Sequence, residues 1–227
     1  MIKDVFQIYS RHLYIIMFLS ITIIIPITTL SFRSILYLYE IDELKSQTYI
    51  AGFLLLVNFI LCAPPFLKIV LKDLQDESIS WKEGILFFIK QIGPLFITTV
   101  ILYLIALYTM WLFFIPSVLI LMFLLVFPYY TDLESFKDMM KNAGSTLLDE
   151  NIGIIVDLII VFSSTFLVWG SMMYIMQNYE NNLYGYLLIR VTLNVITLPF
   201  IYIYLAVRYR AKKNGELTVR AVGGSLR

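Results

Sequence analysis

The chain has 227 residues, of which 60% are hydrophobic and 15% are charged, and its net charge is +1. A water-soluble domain carries about 25% charged residues, so this chain has too few to cover a globule in water, and its balanced charge does not favour nucleic acid as a partner. Its single cysteine and single histidine exclude an intrachain disulfide and a zinc site. The composition predicts an all-α polytopic membrane protein, with the lipid bilayer as its first partner.

Six apolar segments are predicted to cross the bilayer, because roughly 20 helical residues span a hydrocarbon core of about 30 Å. The first is uncharged for longer than a signal-peptide core, so it is interpreted as a retained span. No charge occurs between Lys90 and Asp132, and this run must fold into a hairpin with its break near Pro116. The predicted spans are 13–32, 47–67, 91–112, 115–130, 151–173 and 183–207.

The distribution of basic residues predicts one orientation. With an N-terminus inside the cell, 14 of the 17 lysines and arginines fall in cytoplasmic segments, and the external loops hold only Arg33 and Lys45. We therefore predict a single transmembrane domain over 1–210 and a basic tail over 211–227, with both termini on the cytoplasmic side of a bacterial cell membrane. An aromatic belt is predicted at the outer boundary, formed by Tyr108, Trp111, Trp169, Tyr174 and Tyr184.

Three segments that precede the odd-numbered spans share a pattern of an apolar residue, a lysine, an acid, and further apolar residues on one helical face. Such a helix lies in the membrane interface with its lysines among lipid phosphates. The pattern predicts three parallel repeats of an interfacial helix and a transmembrane hairpin, although any juxtamembrane helix has similar periodicity. The candidate faces are Phe6 and Tyr9; Trp81, Ile85 and Phe88; and Phe136 and Met140, with Lys82 and Lys137 as candidate lipid ligands.

Two charged residues and two amides lie inside predicted spans, where polar groups by default mark function or a contact within the bundle. Asp157 is about 9 Å from the cytoplasmic end of span five and Arg190 about 10 Å from the external end of span six. Their depths disfavour a direct pair, so each either snorkels to its nearer surface, is satisfied structurally within the bundle, or lines a shared cavity. Asn58 and Asn194 match in depth at about 16 Å, which predicts a hydrogen bond across helices or a solute path.

The segment after span six is rich in basic residues. Arg208, Arg210, Lys212 and Lys213 either hold anionic lipid headgroups or only fix the topology. Both interpretations stay open from the sequence.

Proline interrupts the first two spans, at Pro26 and at the Pro64-Pro65 pair. A proline inside a helix removes a backbone donor and frees a carbonyl, which a neighbouring group, a water or an ion must then satisfy. Kinks that help the helices to pack are the simpler interpretation.

No motif for catalysis or cofactor binding is recognisable in the sequence. It has no phosphate-binding glycine loop, no nucleophile elbow and no HExxH zinc motif. The acids outside the spans are scattered, without a base beside them. We therefore predict that the protein is not an enzyme and needs no cofactor.

Several short motifs resemble a known membrane domain. They are IPSVLI at 115–120, FP at 127–128, SFKD at 135–138, the end of span six at 202–210, and FxxYxxHL at 6–13. Together they are similar to the membrane domain that precedes the catalytic barrel of some bacterial glycerophosphoryl diester phosphodiesterases, and to its stand-alone six-span relatives. The usual glycine after isoleucine–proline is Ser117 here, and the barrel is missing, so the resemblance implies a membrane module without phosphodiesterase activity.

Three functions are compatible with the sequence. The first is a non-enzymatic module that acts as a scaffold, binds anionic lipids or assists another membrane protein. The second is the permease subunit of a transporter driven by a separate cytoplasmic ATPase, for peptide export or immunity, since the size and the span count fit that class. The third is a small-solute channel that uses Asn58, Asp157 and Asn194.

Overall fold

The computed structural model of the chain describes residues 2–41, 46–112, 114–176 and 183–211. Within these ranges the chain is helical apart from short turns and contains no strand, so the expectation of an all-helical fold is confirmed there. The elements are α1 (Ile2–Arg11), α2 (Leu13–Leu19), a π-helical turn (Ser20–Ile24), α3 (Ile25–Glu40), α4 (Gln47–Cys62), α5 (Pro64–Asp73), α6 (Trp81–Leu112), α7 (Phe114–Val126), a 3₁₀ turn (Phe127–Tyr130), α8 (Phe136–Asp149), α9 (Asn151–Met176), α10 (Leu183–Ala206) and a second π-helical turn (Val207–Ala211).

Among the described residues, five helical segments are long and apolar enough to cross a membrane, and a further apolar segment is shorter. The first two segments extend past the predicted span ends at residues 32 and 67. Helices of this length rise about 40 Å, which exceeds a hydrocarbon core of about 30 Å. The long segments are Leu13–Glu40, Gln47–Asp73, Trp81–Trp111, Asn151–Met172 and Tyr184–Arg210, and the shorter one is Phe114–Tyr130.

The three predicted interfacial helices do not share one structure. The first is α1, which is followed by non-helical backbone at His12 (φ −108°, ψ 17°). The third is α8, which is followed by a similar break at Glu150 (φ −125°, ψ 28°). The second is not separate, because α6 runs without interruption for 32 residues from Trp81. The helix that contains predicted span three therefore begins at Trp81, ten residues before the predicted span.

Packing against the first span explains why the beginning of α6 stays in line with the rest of that helix. The rings of Trp81 and Phe18 are 5.0 Å apart between centroids. A Cβ atom placed on Gly84 would lie 3.0 Å from the side chain of Leu19, so glycine allows the two helices to approach closely. This segment is held against α2 and continues directly into the rest of α6.

The hairpin predicted for the long uncharged run is present as α6 and α7, which pack against each other. Pro116 lies in the first turn of α7, where its missing N–H leaves no helical hydrogen bond unmade. The Ser117 hydroxyl donates to the Ala106 carbonyl at 2.8 Å and lies 3.0 Å from the Thr109 hydroxyl. Ser117 therefore joins the two helices of the hairpin by side-chain hydrogen bonds.

A neighbouring side chain compensates for the proline pair of the second span. Before the proline pair of span two, the Ala63 N–H donates to the Ile60 carbonyl at 3.3 Å, and the Phe59 carbonyl accepts a hydrogen bond from the Tyr202 hydroxyl at 2.8 Å. In span one, the π-helical turn ends at Ile24, two residues before Pro26. A side chain from α10 thus satisfies a carbonyl that the helix break releases.

Both described ends of the chain lie on one side of the bundle, which we call the terminal side. The Phe6 ring of α1 packs against Phe200 near the end of α10, with centroids 5.3 Å apart. After α10, Arg210 pairs with Asp132, which lies between α7 and α8. We call the side reached by the end of α3 and the end of α9 the opposite side.

Candidate functional site

Asp157 is buried on the terminal side, where side chains from the end of α10 and from the turn after it bind its carboxylate. Its carboxylate accepts hydrogen bonds from the hydroxyls of Tyr204 and Tyr209, each at 3.0 Å, and lies 3.4 Å from Nε of Arg208. The residue is 2% exposed. Asp157 does not reach the surface and does not meet Arg190, because it is bound within the protein by the Tyr204 hydroxyl of α10 and by the Arg208 guanidinium and the Tyr209 hydroxyl of the turn after α10.

Arg208 binds a second carboxylate at the junction of α8 and α9. Its guanidinium lies 3.1 Å from the Glu150 carboxylate. A Cβ atom on Gly153 would lie 2.6 Å from the same guanidinium. The arginine therefore lies directly over a glycine, and its bridge between Glu150 and Asp157 depends on the space that this glycine leaves.

Arg210 makes the third connection of this turn. Its guanidinium is 2.5 Å from the Asp132 carboxylate and 5.4 Å from the centroid of the Tyr130 ring. Burial raises the pKa of Asp132, and the nearby charge of Arg210 opposes this shift. We call the set of Arg208, Tyr209 and Arg210 with Asp132, Glu150 and Asp157 the C-terminal anchor.

The C-terminal anchor gives two residues of the basic segment contacts inside the protein. The side chains of Arg208 and Arg210 are 23% and 13% exposed and bind carboxylates of the protein. Lys212 and Lys213 lie outside the described residues. Sequence reasoning missed the Asp157–Arg208 pair, although both residues lie near the terminal ends of their helices, and this shared depth was the available signal.

The depth match between the two asparagines is reflected in a buried chain of hydrogen bonds. Thr28 of α3 donates to the Asn58 amide oxygen at 3.2 Å, and the Asn194 amide nitrogen donates to the Thr28 hydroxyl at 3.5 Å. The exposed fractions of the three residues are 0%, 4% and 5%. Thr28 was not singled out from the sequence, since span one holds several hydroxyl residues. The chain joins three helices and is packed in the interior.

Arg190 lies on the opposite side, where aromatic rings surround it. Its guanidinium carbon is 4.8 Å from the centroid of Phe32 and 4.6 Å from that of Trp169. Its Nε atom is buried and has no hydrogen-bond partner in the described part of the chain. Trp169, predicted as a member of the outer belt, is one of these rings.

The predicted interfacial faces are directed partly outward. Phe6, Trp81 and Phe136 are 57%, 39% and 51% exposed. The other predicted face residues are half-buried, namely Tyr9, Ile85, Phe88 and Met140. Lys82 and Lys137 are exposed. The bundle holds α1 through Val5 and Ile8, and α8 through Met139 and Ala143.

A second set of charges fixes the start of the first span. The Asp73 carboxylate at the end of α5 lies 2.7 Å from the Arg11 guanidinium and 2.9 Å from Nε2 of His12. This contact ties the break between α1 and α2 to the end of the second long segment.

Comparison of the chain with family models, with curated proteins and with solved structures found no match.

Proposed function

We propose that the protein is a non-enzymatic, six-span module of the bacterial cytoplasmic membrane, with both termini in the cytoplasm, which binds anionic lipid headgroups on its terminal side and presents that side to a partner protein. The observation that carries this proposal is the arrangement of α1 and α8. Each is a separate helix fixed to the bundle by one face, with an aromatic ring and a lysine exposed on another.

The contacts of α8 support an interfacial position. Met139 and Ala143 are buried against the bundle, and the Phe136 ring meets Phe127 at 6.1 Å between centroids. Lys137 and Lys141 are exposed and lie one helical turn apart. A lysine near an anionic leaflet contributes about 1 kcal/mol to membrane attraction. A rigid helix with two aligned ammonium groups is therefore suited to bind headgroups.

The position of α1 supports the same proposal from the other end of the chain. Val5 and Ile8 are buried, whereas Ile2 and Phe6 are 63% and 57% exposed. Lys3 is also exposed. Exposed apolar residues beside a lysine are what a helix needs to lie between the headgroups and the acyl chains. The six spans rest on the apolar segments of the sequence, and the orientation rests on the distribution of basic residues. The presence of both described chain ends on one side supports an even number of spans.

The resemblance to the membrane domain of glycerophosphoryl diester phosphodiesterases stays a proposal. Ser117, the departure from that pattern, is buried and makes two hydrogen bonds within the hairpin. Its hydroxyl therefore has a structural use in this chain. The family resemblance supports a module that works through lipids or partners, and it adds no substrate.

Lipid retention tests the proposed function. The protein is reconstituted in nanodiscs of equal parts phosphatidylglycerol and phosphatidylcholine, and native mass spectrometry counts the lipids that stay bound. Replacing Lys3, Lys137 and Lys141 together with glutamine is expected to abolish the enrichment of phosphatidylglycerol, because each lysine contributes about 1 kcal/mol. Arg33→Gln, which removes an exposed charge from the end of the first segment farther from α1, is the control and should leave enrichment unchanged.

An unchanged enrichment in the triple lysine variant would contradict the lipid-binding proposal. A loss of equal size in the Arg33 variant would show that the measurement reports net charge and not the terminal side. Both variants should give the same helix content by circular dichroism, so that a change in lipid binding is not a change in folding.

A permease subunit is the second candidate, and the exposed surface of α8 favours it. Phe136 and Leu148, at the two ends of this helix, are 51% and 79% exposed, as a helix that couples to a cytoplasmic ATPase would require. Affinity purification from native membranes should then recover an ATP-binding-cassette ATPase, and Leu148→Glu should release it. The channel hypothesis has no comparable support, since the Asn58–Thr28–Asn194 chain lies in the packed interior.

A further inference from the structure

The charge of Arg190 is not offset by the described part of the protein. Arg190 lies about seven residues, or roughly 10 Å, inside the helix that begins at Leu183. No ion pair joins it to a carboxylate among the described residues, and its buried Nε–H has no acceptor there. A cation at this depth in a membrane protein is costly without a counter-charge. An anion from outside the chain would supply that charge.

The aromatic neighbours leave the hydrogen-bonding groups of Arg190 available. The centroids of the Phe32 and Trp169 rings lie 4.8 and 4.6 Å from the guanidinium carbon. Aromatic faces attract a cation through their quadrupole, but they are weak acceptors of hydrogen bonds. The guanidinium is therefore held in position while its N–H groups can still bind a stronger acceptor.

A small cavity lies beside this guanidinium, between α9 and α10. Its volume is about 10 Å³, and Arg190, Thr165 and Asn194 contribute to its wall. This volume admits one particle of about the size of a water molecule. The Asn194 amide uses one N–H on Thr28 and retains a second. The polar wall can therefore offer donors from a guanidinium, an amide and a hydroxyl, which together favour an anion.

We propose that Arg190, Thr165 and Asn194 form a binding site for a single anionic atom, either a halide ion or one oxygen of a lipid phosphate. The guanidinium supplies the charge, and the amide and the hydroxyl supply additional hydrogen bonds. The cavity is too small for a whole phosphate group, whereas a phosphate attached to a lipid could insert one oxygen. The site is separate from the proposed lipid-binding surface on the terminal side.

Bromide quenching of tryptophan fluorescence tests this site, because Trp169 contacts Arg190 directly. Trp81→Phe and Trp111→Phe leave Trp169 as the single tryptophan of the chain. In lipid-free detergent at constant ionic strength, with gluconate as the balancing anion, bromide quenching is expected to saturate, and chloride should reverse it by competition. A bound ion gives a saturation curve, whereas random collisions give quenching proportional to concentration.

Variants of the two arginines give the decisive comparison. Arg190→Gln in the single-tryptophan chain should weaken apparent bromide affinity roughly ten-fold or more, as expected for the loss of a charged hydrogen bond. Arg190→Lys keeps the charge and should retain weaker binding. Arg33→Gln is the matched control and should bind as the parent does. Circular dichroism and gel filtration of each variant verify that the bundle stays folded.

Three outcomes are informative. Quenching that stays proportional to bromide in the parent chain, or that saturates equally in Arg190→Gln, would overturn the proposal and leave the cavity to water. Saturation in lipid-free detergent that persists in phosphatidylglycerol nanodiscs identifies a halide as the ligand. Saturation in detergent that disappears in those nanodiscs supports the same site with a lipid phosphate as its occupant.

Discussion

Asp157 and Arg190 are both charged residues inside the last two long helices, but the protein accommodates them differently. Asp157 is surrounded by groups of the chain itself, two tyrosine hydroxyls and the Arg208 guanidinium. Arg190 has the rings of Phe32 and Trp169 beside it and a small polar cavity at its edge. The first charge is satisfied by folding, and the second leaves donors available for a ligand.

The difference follows from which side of the bundle each charge occupies. On the terminal side, the junction of α8 and α9 and the turn after α10 carry carboxylates and arginines that meet across elements. On the opposite side, the described helix ends carry few charges, and aromatic residues such as Trp111 and Tyr184 dominate. A charged residue is therefore a poor indicator of a site until its partners are known.

Removing the partner of Asp157 should give the largest effect on stability. Arg208→Met leaves the Asp157 carboxylate buried with only its two tyrosine donors, and breaking a buried ion pair costs about 3 kcal/mol or more. Since Arg208 is 23% exposed, the lower end of that range is expected. The free energy of unfolding, measured by titrating detergent micelles with sodium dodecyl sulfate, reports the change. A loss no greater than that of Arg33→Met would show that the C-terminal anchor is not important for stability.

Filling the space under Arg208 should give an intermediate effect. Gly153→Ala places a Cβ atom 2.6 Å from the present position of the guanidinium, which must move and weaken its contacts with Glu150 and Asp157. We expect a loss of about 1 to 2 kcal/mol in the same titration. Gly170→Ala is the matched control on α9, because nothing lies within 4 Å of its added Cβ, and helix propensity predicts a gain of about 0.5 to 1 kcal/mol. Equal effects of the two changes would contradict the close approach of Arg208.

Replacing Arg190 should give the smallest effect on stability. Arg190→Met removes two cation–π contacts, worth about 0.5 to 2 kcal/mol each, but it also removes a charge that costs about 2.5 to 3.5 kcal/mol near the membrane centre and less at this depth. The two terms have opposite signs and overlapping magnitudes, so the net change is expected to be smaller than the loss in Arg208→Met. Thermal melting in detergent without halide measures the difference. A destabilisation as large as that of Arg208→Met would show that Arg190 has a structural partner after all.

Much of the polar arrangement followed from depth along the helices. The depths of Asn58 and Asn194 predicted a contact, and the structure joins them through Thr28. The depths of Asp157 and Arg190 disfavoured a pair, and none is present between them. Depth alone did not identify Thr28 or Arg208, because rotation of a helix about its axis and the crossing of its neighbours decide which side chains at one level face each other.

The sequence by itself determined that the described chain is helical, apolar enough to cross a membrane, and folded back near Pro116, because composition and the spacing of charges act locally along the chain. Only the tertiary structure decided that α6 runs on from Trp81, that the turn after α10 binds Asp157, Glu150 and Asp132, and that Arg190 lacks such partners among the described residues. Those outcomes depend on contacts between elements distant in sequence, such as Gly84 against Leu19, and no local pattern contains them.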